Sequence, residues 1–368
     1  MKNIVLFGGN FDPVHNGHLN MSVIASKKLD ADVIFIPAKI SIWKNKASPI
    51  DDRVAVLKEA IKGGVDKNLQ SRFSISLYEA SLDTDFNYTV DTVRHFKQIY
   101  PNDNLFLLIG ADQVNRFHDW KESNELAKMA TIVFFMRPNI ILDKNNVEKY
   151  HMLALQGEMV EESSTDIREL KSLKTPIEAV EEIIKRNMYF TPKLKKYLSD
   201  YRLNHGLSVA KTAYKIAKSN NVEHIDKIIL ASLLHDTAKE LDMNRTIDIM
   251  KNYYPEYISY HKAMYHQFVG EYIVKHDFGI DDQEILDAIK FHTTGKTNMS
   301  ITGIIVYASD KIEPTRGLYS YALIEAMCKD LMSGFSTVLI DNRRYYIEHN
   351  IDYKNDLTLG CMNQYIIE

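Results

Sequence analysis

Short apolar runs at residues 4–7, 33–37, 73–77, 105–109 and 131–135 recur through the first 190 residues, separated by helical patterns at about 18–29, 51–62, 89–99 and 120–128. Each run has the length of a buried strand, and strand–helix alternation is the pattern of a parallel sheet closed by crossover helices. The expected architecture is therefore an α/β Rossmann-like domain, with right-handed crossovers and helices on both faces. Ligands of such sheets bind beyond the carboxyl ends of the strands, where this sequence places its unusual residues.

The alternation stops near residue 190. Longer amphipathic helical patterns follow at 207–217, 227–234 and 284–291. The break is expected at Met188-Tyr189-Phe190-Thr191-Pro192, because a proline disfavours helix at the residue before it. We expect two abutting domains, 1–190 α/β and 191–368 an all-α helical bundle, with no internal repeat and no low-complexity linker. At 45% apolar and 26% charged residues, with 15 glycines and 9 prolines in 368, the chain is not disordered or collagen-like. Its net charge of −4 argues against a nucleic-acid partner, while a local basic groove can still hold small phosphates. Cys328 and Cys361 are too few for a disulfide framework. No run approaches a membrane span, and 4–7 is too short for a signal-peptide core. A cytoplasmic protein with no membrane partner is expected; composition carries no signal for oligomeric state.

Gly8-Gly9-Asn10-Phe11-Asp12-Pro13-Val14-His15-Asn16-Gly17-His18 follows the first strand and opens the first helix. Glycines there let backbone N–H groups approach a phosphate, and a helix start adds partial positive charge. Two imidazoles, His15 and His18, stand at the same helix mouth. This stretch resembles the first signature of the nucleotidylyltransferase superfamily. Ser163-Ser164-Thr165-Asp166-Ile167-Arg168 is similar to its second signature, with Glu162 in place of the usual Ile. Asn87-Tyr88-Thr89-Val90-Asp91-Thr92 and Gly110-Ala111-Asp112 with Trp120 are similar to segments of bacterial nicotinate-nucleotide adenylyltransferases. The stretch 37–44 departs from those enzymes in lacking paired prolines.

The resemblance implies attack of a mononucleotide 5′-phosphate on the α-phosphorus of ATP, with Mg²⁺ on the ATP phosphates. A phosphate oxygen is already a nucleophile, so alignment and charge neutralisation are what the protein must supply. On this resemblance Gly8, Gly9 and Phe11 line the substrate, His15 and His18 hold α- and β-phosphate oxygens, and Lys44 adds charge. Arg168 takes the leaving pyrophosphate, and Ser164 and Thr165 offer hydroxyls and N–H groups. Tyr88, Thr89 and Trp120 recognise nicotinate mononucleotide, and Asp112 meets ribose or adenosine hydroxyls. Tyr88 reads equally as a core residue, and nicotinamide mononucleotide or phosphopantetheine stays open as the acceptor.

The helical half holds eight of the 13 histidines. His235-Asp236 ends the apolar run 228–234, and His205, His266, His292 and Asp310 each adjoin an apolar helical segment. Such ligands on several helices can converge at a bundle centre, and mixed nitrogen and oxygen donors suit Fe, Mn or Zn better than Mg or Ca. In the order H…HD…H…H…D, this half resembles the HD phosphohydrolase superfamily, and within it the symmetrical diadenosine-tetraphosphate hydrolases. The likeness runs through Asn204-His205-Gly206, His235-Asp236-Thr237-Ala238-Lys239, Phe291-His292-Thr293-Thr294-Gly295 and Ser309-Asp310-Lys311-Ile312-Glu313-Pro314. Gln267 stands where a small residue usually follows the third histidine. The resemblance implies that His205, His235, Asp236 and Asp310 hold one metal, Fe or Mn, and that His266 and His292 add ligands for a second, with diadenosine tetraphosphate as substrate. His261 is the rival to His266. Lys239 either contacts a phosphate or pairs with an acidic neighbour, and Arg316 can reach a phosphate from the next loop. A second reading makes this half a regulatory nucleotide-binding module.

Overall fold

The computed structural model describes residues 1–39, 47–83, 87–136, 140–157, 162–317 and 319–367. The chain divides into two compact units. One comprises Met1–Thr165 with Lys174–Arg186, the other Asp166–Leu173 with Asn187–Glu368.

The first unit is built on six strands: β1 (Asn3–Gly9), β2 (Ala31–Pro37), β3 (Phe73–Ile75), β4 (Asn104–Ile109), β5 (Thr131–Phe135) and β6 (Leu153–Leu155). All pair in parallel, in the order β3-β2-β1-β4-β5-β6. Strand direction alternates side chains between faces, so Ile4, Leu6, Ile34, Ile36, Leu105, Leu107, Ile109, Ile132 and Phe134 form one buried layer with the helix Thr89–Ile99. Val5, Phe7, Val33, Phe35, Val133 and Phe135 are buried as well, as a parallel sheet covered on both faces requires. The order reverses between β1 and β4, and their carboxyl ends, Gly8-Gly9 and Gly110, flank the resulting crevice.

Two details differ from the sequence expectation. β6 carries only three residues, two of them exposed, so no apolar run announces it. The helix expected from 120 begins at Ser123, because Phe117–Asp119 forms a single 3₁₀ turn first.

The second unit is helical. Its main helices are Asp200–Ser219, Ile225–Leu234, Met243–Tyr253, Tyr265–His276, Gln283–Lys290, Ile301–Ile312, Ser320–Lys329, Leu331–Glu348 and Asp356–Tyr365. Side-chain caps set several starts: Asp242, Asp282, Ser300, Asp330 and Asn355 each accept a first-turn N–H. Pro192 does not act as the expected break. It occupies the first turn of a short helix, Thr191–Leu194, where its missing N–H costs nothing. The preceding helix, Ile177–Lys185, ends earlier, and Asn187 and Tyr189 after it take left-handed φ of 55° and 51°. The tail after residue 340 carries no motif, yet Cys361, Met362 and Tyr365 are buried and the Tyr365 hydroxyl accepts the Met299 N–H at 2.7 Å. Among the described residues no helix is long and apolar enough to cross a membrane.

Candidate active sites

At the end of β1, Gly8 is exposed, and a Cβ there would meet nothing within 4 Å. A Cβ on Gly9 would press the Phe11 ring at 3.1 Å. Phe11 adopts a left-handed φ of 45° and is buried, packing edge-on to Phe7, Phe35 and His18 at 5.2–5.4 Å. Its ring is thus a floor under His18, which corrects the expectation of a substrate-facing aromatic. His15 precedes the helix Asn16–Leu29, and its ring stacks on His18 at 3.7 Å. The His15 backbone N–H points to His18 Nδ1 at 3.4 Å, which favours the neutral tautomer with its proton on Nε2.

The second motif closes on the first. The Ser164 hydroxyl donates to the Pro13 carbonyl at 2.8 Å, Thr175 Oγ1 to the Val14 carbonyl at 3.1 Å, and the Asn16 N–H to the Lys174 carbonyl at 2.8 Å. The Thr165 N–H is held by Ser163 Oγ at 3.1 Å. Arg168 ends the helix Ser164–Arg168, one turn from Ser164, and falls within the part of that helix that clusters with the second unit. Tyr88 and Thr89 start the helix Thr89–Ile99; Tyr88 is exposed, with the Lys121 ammonium 4.3 Å from its ring centre. Trp120, beside Lys121, lies with one ring 5.3 Å from buried Phe117 and is only partly buried. Asp112 is exposed and folds back over Gly110. Lys44 lies outside the described residues.

Sequence reasoning passed over Arg53. It is 1% exposed, and its guanidinium donates to the carbonyls of Asn10 (2.6 Å), Ala38 (2.7 Å), Lys39 (3.3 Å) and Ser48 (2.8 Å). It thereby ties the loop after β1 to the loop after β2. A signal existed: Arg53 stands in the same helical stripe as buried Val56, Leu57, Ala60 and Ile61, where a charge has to find partners.

In the helical unit, five elements deliver six buried ligand candidates to one place. His205 comes from Asp200–Ser219, His235 and Asp236 from the end of Ile225–Leu234, and His266 from Tyr265–His276. His292 follows Gln283–Lys290, and Asp310 lies on Ile301–Ile312. The imidazoles of His235, His266 and His292 each place Nδ1 2.7 Å from the carbonyl three residues earlier: Ser232, Ala263 and Ile289. That bond holds the proton on Nδ1 and leaves Nε2 as a lone pair directed inward. Burial depresses the basicity of His266 and His292 well below the ordinary histidine range, so both stay neutral.

Asp236 joins two halves. Oδ2 lies 3.7 Å from His235 Nε2, and Oδ1 lies 3.6 and 3.7 Å from His266 and His292 Nε2. Asp310 Oδ1 is 3.1 Å from His205 Nε2 and 3.6 Å from His235 Nε2. His235 Nε2 is fully buried yet makes no hydrogen bond. A buried, correctly tautomerised nitrogen without a proton donor, between two carboxylates, is what a divalent cation would satisfy. Donors from His205, His235 and Asp236, from His235, His292 and Asp310, and from Asp236, His266 and His292 are mutually close enough to share an ion.

Cations hold the carboxylates from outside. Arg202 Nη1 donates to Asp236 Oδ2 at 3.0 Å, Lys311 Nζ to Asp310 Oδ2 at 2.7 Å, and Arg316 Nη2 to Asp310 Oδ1 at 3.0 Å. Burial raises the Asp310 pKa, but Lys311 and the His205 hydrogen bond outweigh it and keep the group well below the usual carboxylate range. Arg316, expected at a phosphate, therefore stands on a ligand carboxylate. Lys239 Nζ reaches His266 Nε2 at 3.2 Å. Glu313 approaches His205 Nδ1 at 3.3 Å. Burial lowers the His205 pKa, and the bonds to Asp310 and Glu313 more than reverse this, raising it to about 9. His261 is exposed and caps the turn Lys262–Met264, so it lies away from the centre.

Residues 6–170 match the family profile described as cytidylyltransferase-like, and residues 202–315 match the HD domain. Fold and sites together define the class: a cytidylyltransferase-like α/β domain carried on one chain with an HD domain. Two mycoplasma proteins share that organisation, both named "Probable nicotinate-nucleotide adenylyltransferase/Ap4A hydrolase". The one from Mycoplasma genitalium is 32% identical over 323 residues, covering 86% of this chain and 88% of its own. The one from Mycoplasma pneumoniae is 27% identical, covering 91% and 97%. The chain belongs to this two-domain family. A Halalkalibacterium halodurans protein named "Bis(5'-nucleosyl)-tetraphosphatase, symmetrical" is 32% identical over 178 residues, 48% of this chain and 94% of its own.

Proposed function

We propose that the protein is bifunctional: it adenylylates nicotinate mononucleotide with ATP, and it hydrolyses diadenosine tetraphosphate symmetrically to two ADP. For the first reaction the carrying observation is the stacked His15–His18 pair at the β1 switch point, clipped to the second motif by Ser164. A 5′-phosphate oxygen of nicotinate mononucleotide forms a bond to the α-phosphorus of ATP, and the bond to the β-phosphate oxygen breaks, releasing pyrophosphate. His18, neutral with its proton on Nε2, donates to a phosphoryl oxygen whose charge grows in the transition state. The positive end of the helix Asn16–Leu29 and the bare backbone at Gly8 favour the remaining oxygens. Tyr88 and Trp120 offer ring faces to the pyridine, and Asp112 meets sugar hydroxyls. Magnesium travels with ATP, and Arg168 takes the pyrophosphate.

For the second reaction the carrying observation is the set of three imidazoles locked with Nε2 inward around Asp236 and Asp310. His205, His235, Asp236 and Asp310 would hold one ion and Asp236, His266 and His292 a second, with iron or manganese favoured by the donors. Such ions, when bound, polarise a phosphoryl oxygen and make water acidic enough to attack phosphorus. The chain itself positions the carboxylates through Arg202, Lys311 and Arg316, and Lys239 offers an ammonium to the departing phosphate. Two free cysteines and the use of ATP support a cytoplasmic setting.

The deciding experiment is product analysis of diadenosine tetraphosphate incubated with the iron- or manganese-loaded full chain, with His235→Ala as control. Two ADP, lost in the control, are expected. AMP plus ATP would keep a hydrolase and overturn the symmetrical assignment. Pyrophosphate release compared across nicotinate mononucleotide, nicotinamide mononucleotide and phosphopantetheine tests the acceptor, with the first expected to be strongly preferred.

A further inference from the structure

We propose that Thr293 supplies a third protein donor at the His266/His292 end of the metal centre, and that Gln267 is the positioning residue that holds it there. The proposal rests on the two-ion reading above. Thr293 Oγ1 lies 3.1 Å from His266 Nε2 and 3.1 Å from His292 Nε2, and those two nitrogens are 3.1 Å apart. The three atoms thus form an equilateral triangle. Both imidazoles spend their proton on a backbone carbonyl through Nδ1, so both Nε2 atoms present lone pairs. The Thr293 hydroxyl has one proton for two lone pairs, and only that of His266 also faces an ammonium, Lys239 Nζ at 3.2 Å; a cation shared by Thr293 Oγ1 and both nitrogens would satisfy all three atoms.

The spacing points to a coordination number. Donors at right angles around an ion, at bonds of about 2.1–2.2 Å, lie about 3.0–3.1 Å apart, whereas tetrahedral donors at the same distance lie about 3.4–3.6 Å apart. The triangle fits one face of an octahedron. Asp236 Oδ1, at 3.6 and 3.7 Å from the two nitrogens, stands further out as a fourth donor.

Gln267 explains how a threonine is held at that corner. It is fully buried, and its Oε1 accepts the N–H groups of Thr293 (3.1 Å) and Thr294 (3.2 Å) while Nε2 donates to Thr294 Oγ1 at 3.2 Å. Neighbours on a helix point about 100° apart, so Tyr265–His276 aims His266 at the centre and Gln267 at the turn that carries His292 and Thr293. The glutamine that departs from the small residue usual at this position therefore joins the two histidine-bearing elements.

The test titrates Mn²⁺ into the chelator-stripped full chain and follows free Mn²⁺ by electron paramagnetic resonance, with circular dichroism as the folding control. Thr293→Val is expected to weaken one of two bound ions about 10- to 100-fold, the same ion that His266→Ala removes, with the other unchanged. Thr293→Ser should stay within about threefold of the unsubstituted chain. Gln267→Ala should weaken that same ion, and adding it to Thr293→Val should cost nothing further, because it acts only through Thr293. Thr293→Val binding both ions within twofold of the unsubstituted chain, while His266→Ala loses one, would overturn the donor and leave the two-ion centre standing. If His266→Ala also changes nothing, the two-ion reading falls and this inference with it.

Discussion

His18 and His235 are each central to one cluster, and each cluster is assembled within one compact unit. His18→Ala is expected to lower adenylyl transfer by about 10²–10³ and leave diadenosine tetraphosphate hydrolysis unchanged, and His235→Ala to do the reverse. Assaying both activities on both variants checks this; loss of both from either change would contradict separable chemistry. His205 sets a pH dependence in the chelator-stripped protein. Its folded pKa of about 9 lies above the ordinary 6.5, so the stabilisation from its Asp310 and Glu313 bonds is complete below pH 6.5 and is lost as pH rises through 9. His266 and His292, depressed by burial, act with the opposite sign and only below 6.5. The melting temperature of the stripped chain should therefore fall between pH 6.5 and 9, and His205→Asn should flatten that slope. Metal affinity should rise across the same window, because the proton on His205 competes with the ion.

At the scale of elements, the first site depends on the segments that follow β1 and β2 being held together beyond the strand ladder. Arg53 does that work from inside the helix Ile50–Gly64, reaching four carbonyls with one rigid fork. Arg53→Ala should destabilise the chain by about 3 kcal/mol or more, as buried carbonyls lose charge-assisted donors, and should raise KM for ATP more than it lowers kcat. Arg53→Lys should rescue little, since an ammonium cannot span carbonyls from separate loops. Thermal melts with steady-state kinetics of both activities check this, hydrolysis being the control expected to hold. The same principle separates the legible from the hidden in the strands. β1, β2, β4 and β5 announce themselves as apolar runs because both faces are buried, whereas β6, with two of three residues exposed, does not.

At the scale of the whole molecule, each unit has its own core, and the clusters of imidazoles and carboxylates able to bind ions among the described residues lie in the helical unit. Stripping the full chain with chelator and restoring Mg²⁺ alone should return adenylyl transfer but not hydrolysis, while Mn²⁺ or Fe²⁺ should return both. Calorimetry of the stripped chain should show two transitions, of which added Mn²⁺ raises one, because a ligand stabilises only the unit it binds. A rise in both, or in neither, would count against this assignment of the metal to the helical unit.

The α/β alternation, the helical second half, the glycine-histidine loop and the order of the HD residues were all legible in the sequence, because each is written in local spacing, burial periodicity or a contiguous motif. Tertiary structure decided what depends on atoms far apart in the chain. It turned Phe11 inward as a floor for His18 and moved Arg316 from a phosphate to Asp310. It also made Gln267, which looked like a departure from pattern, the clamp on Thr293. Local spacing could show at most that Arg53 is buried, not what it meets, since a buried polar group is defined by its partners, and the partners of Arg53, Glu313 and Gln267 come from other elements.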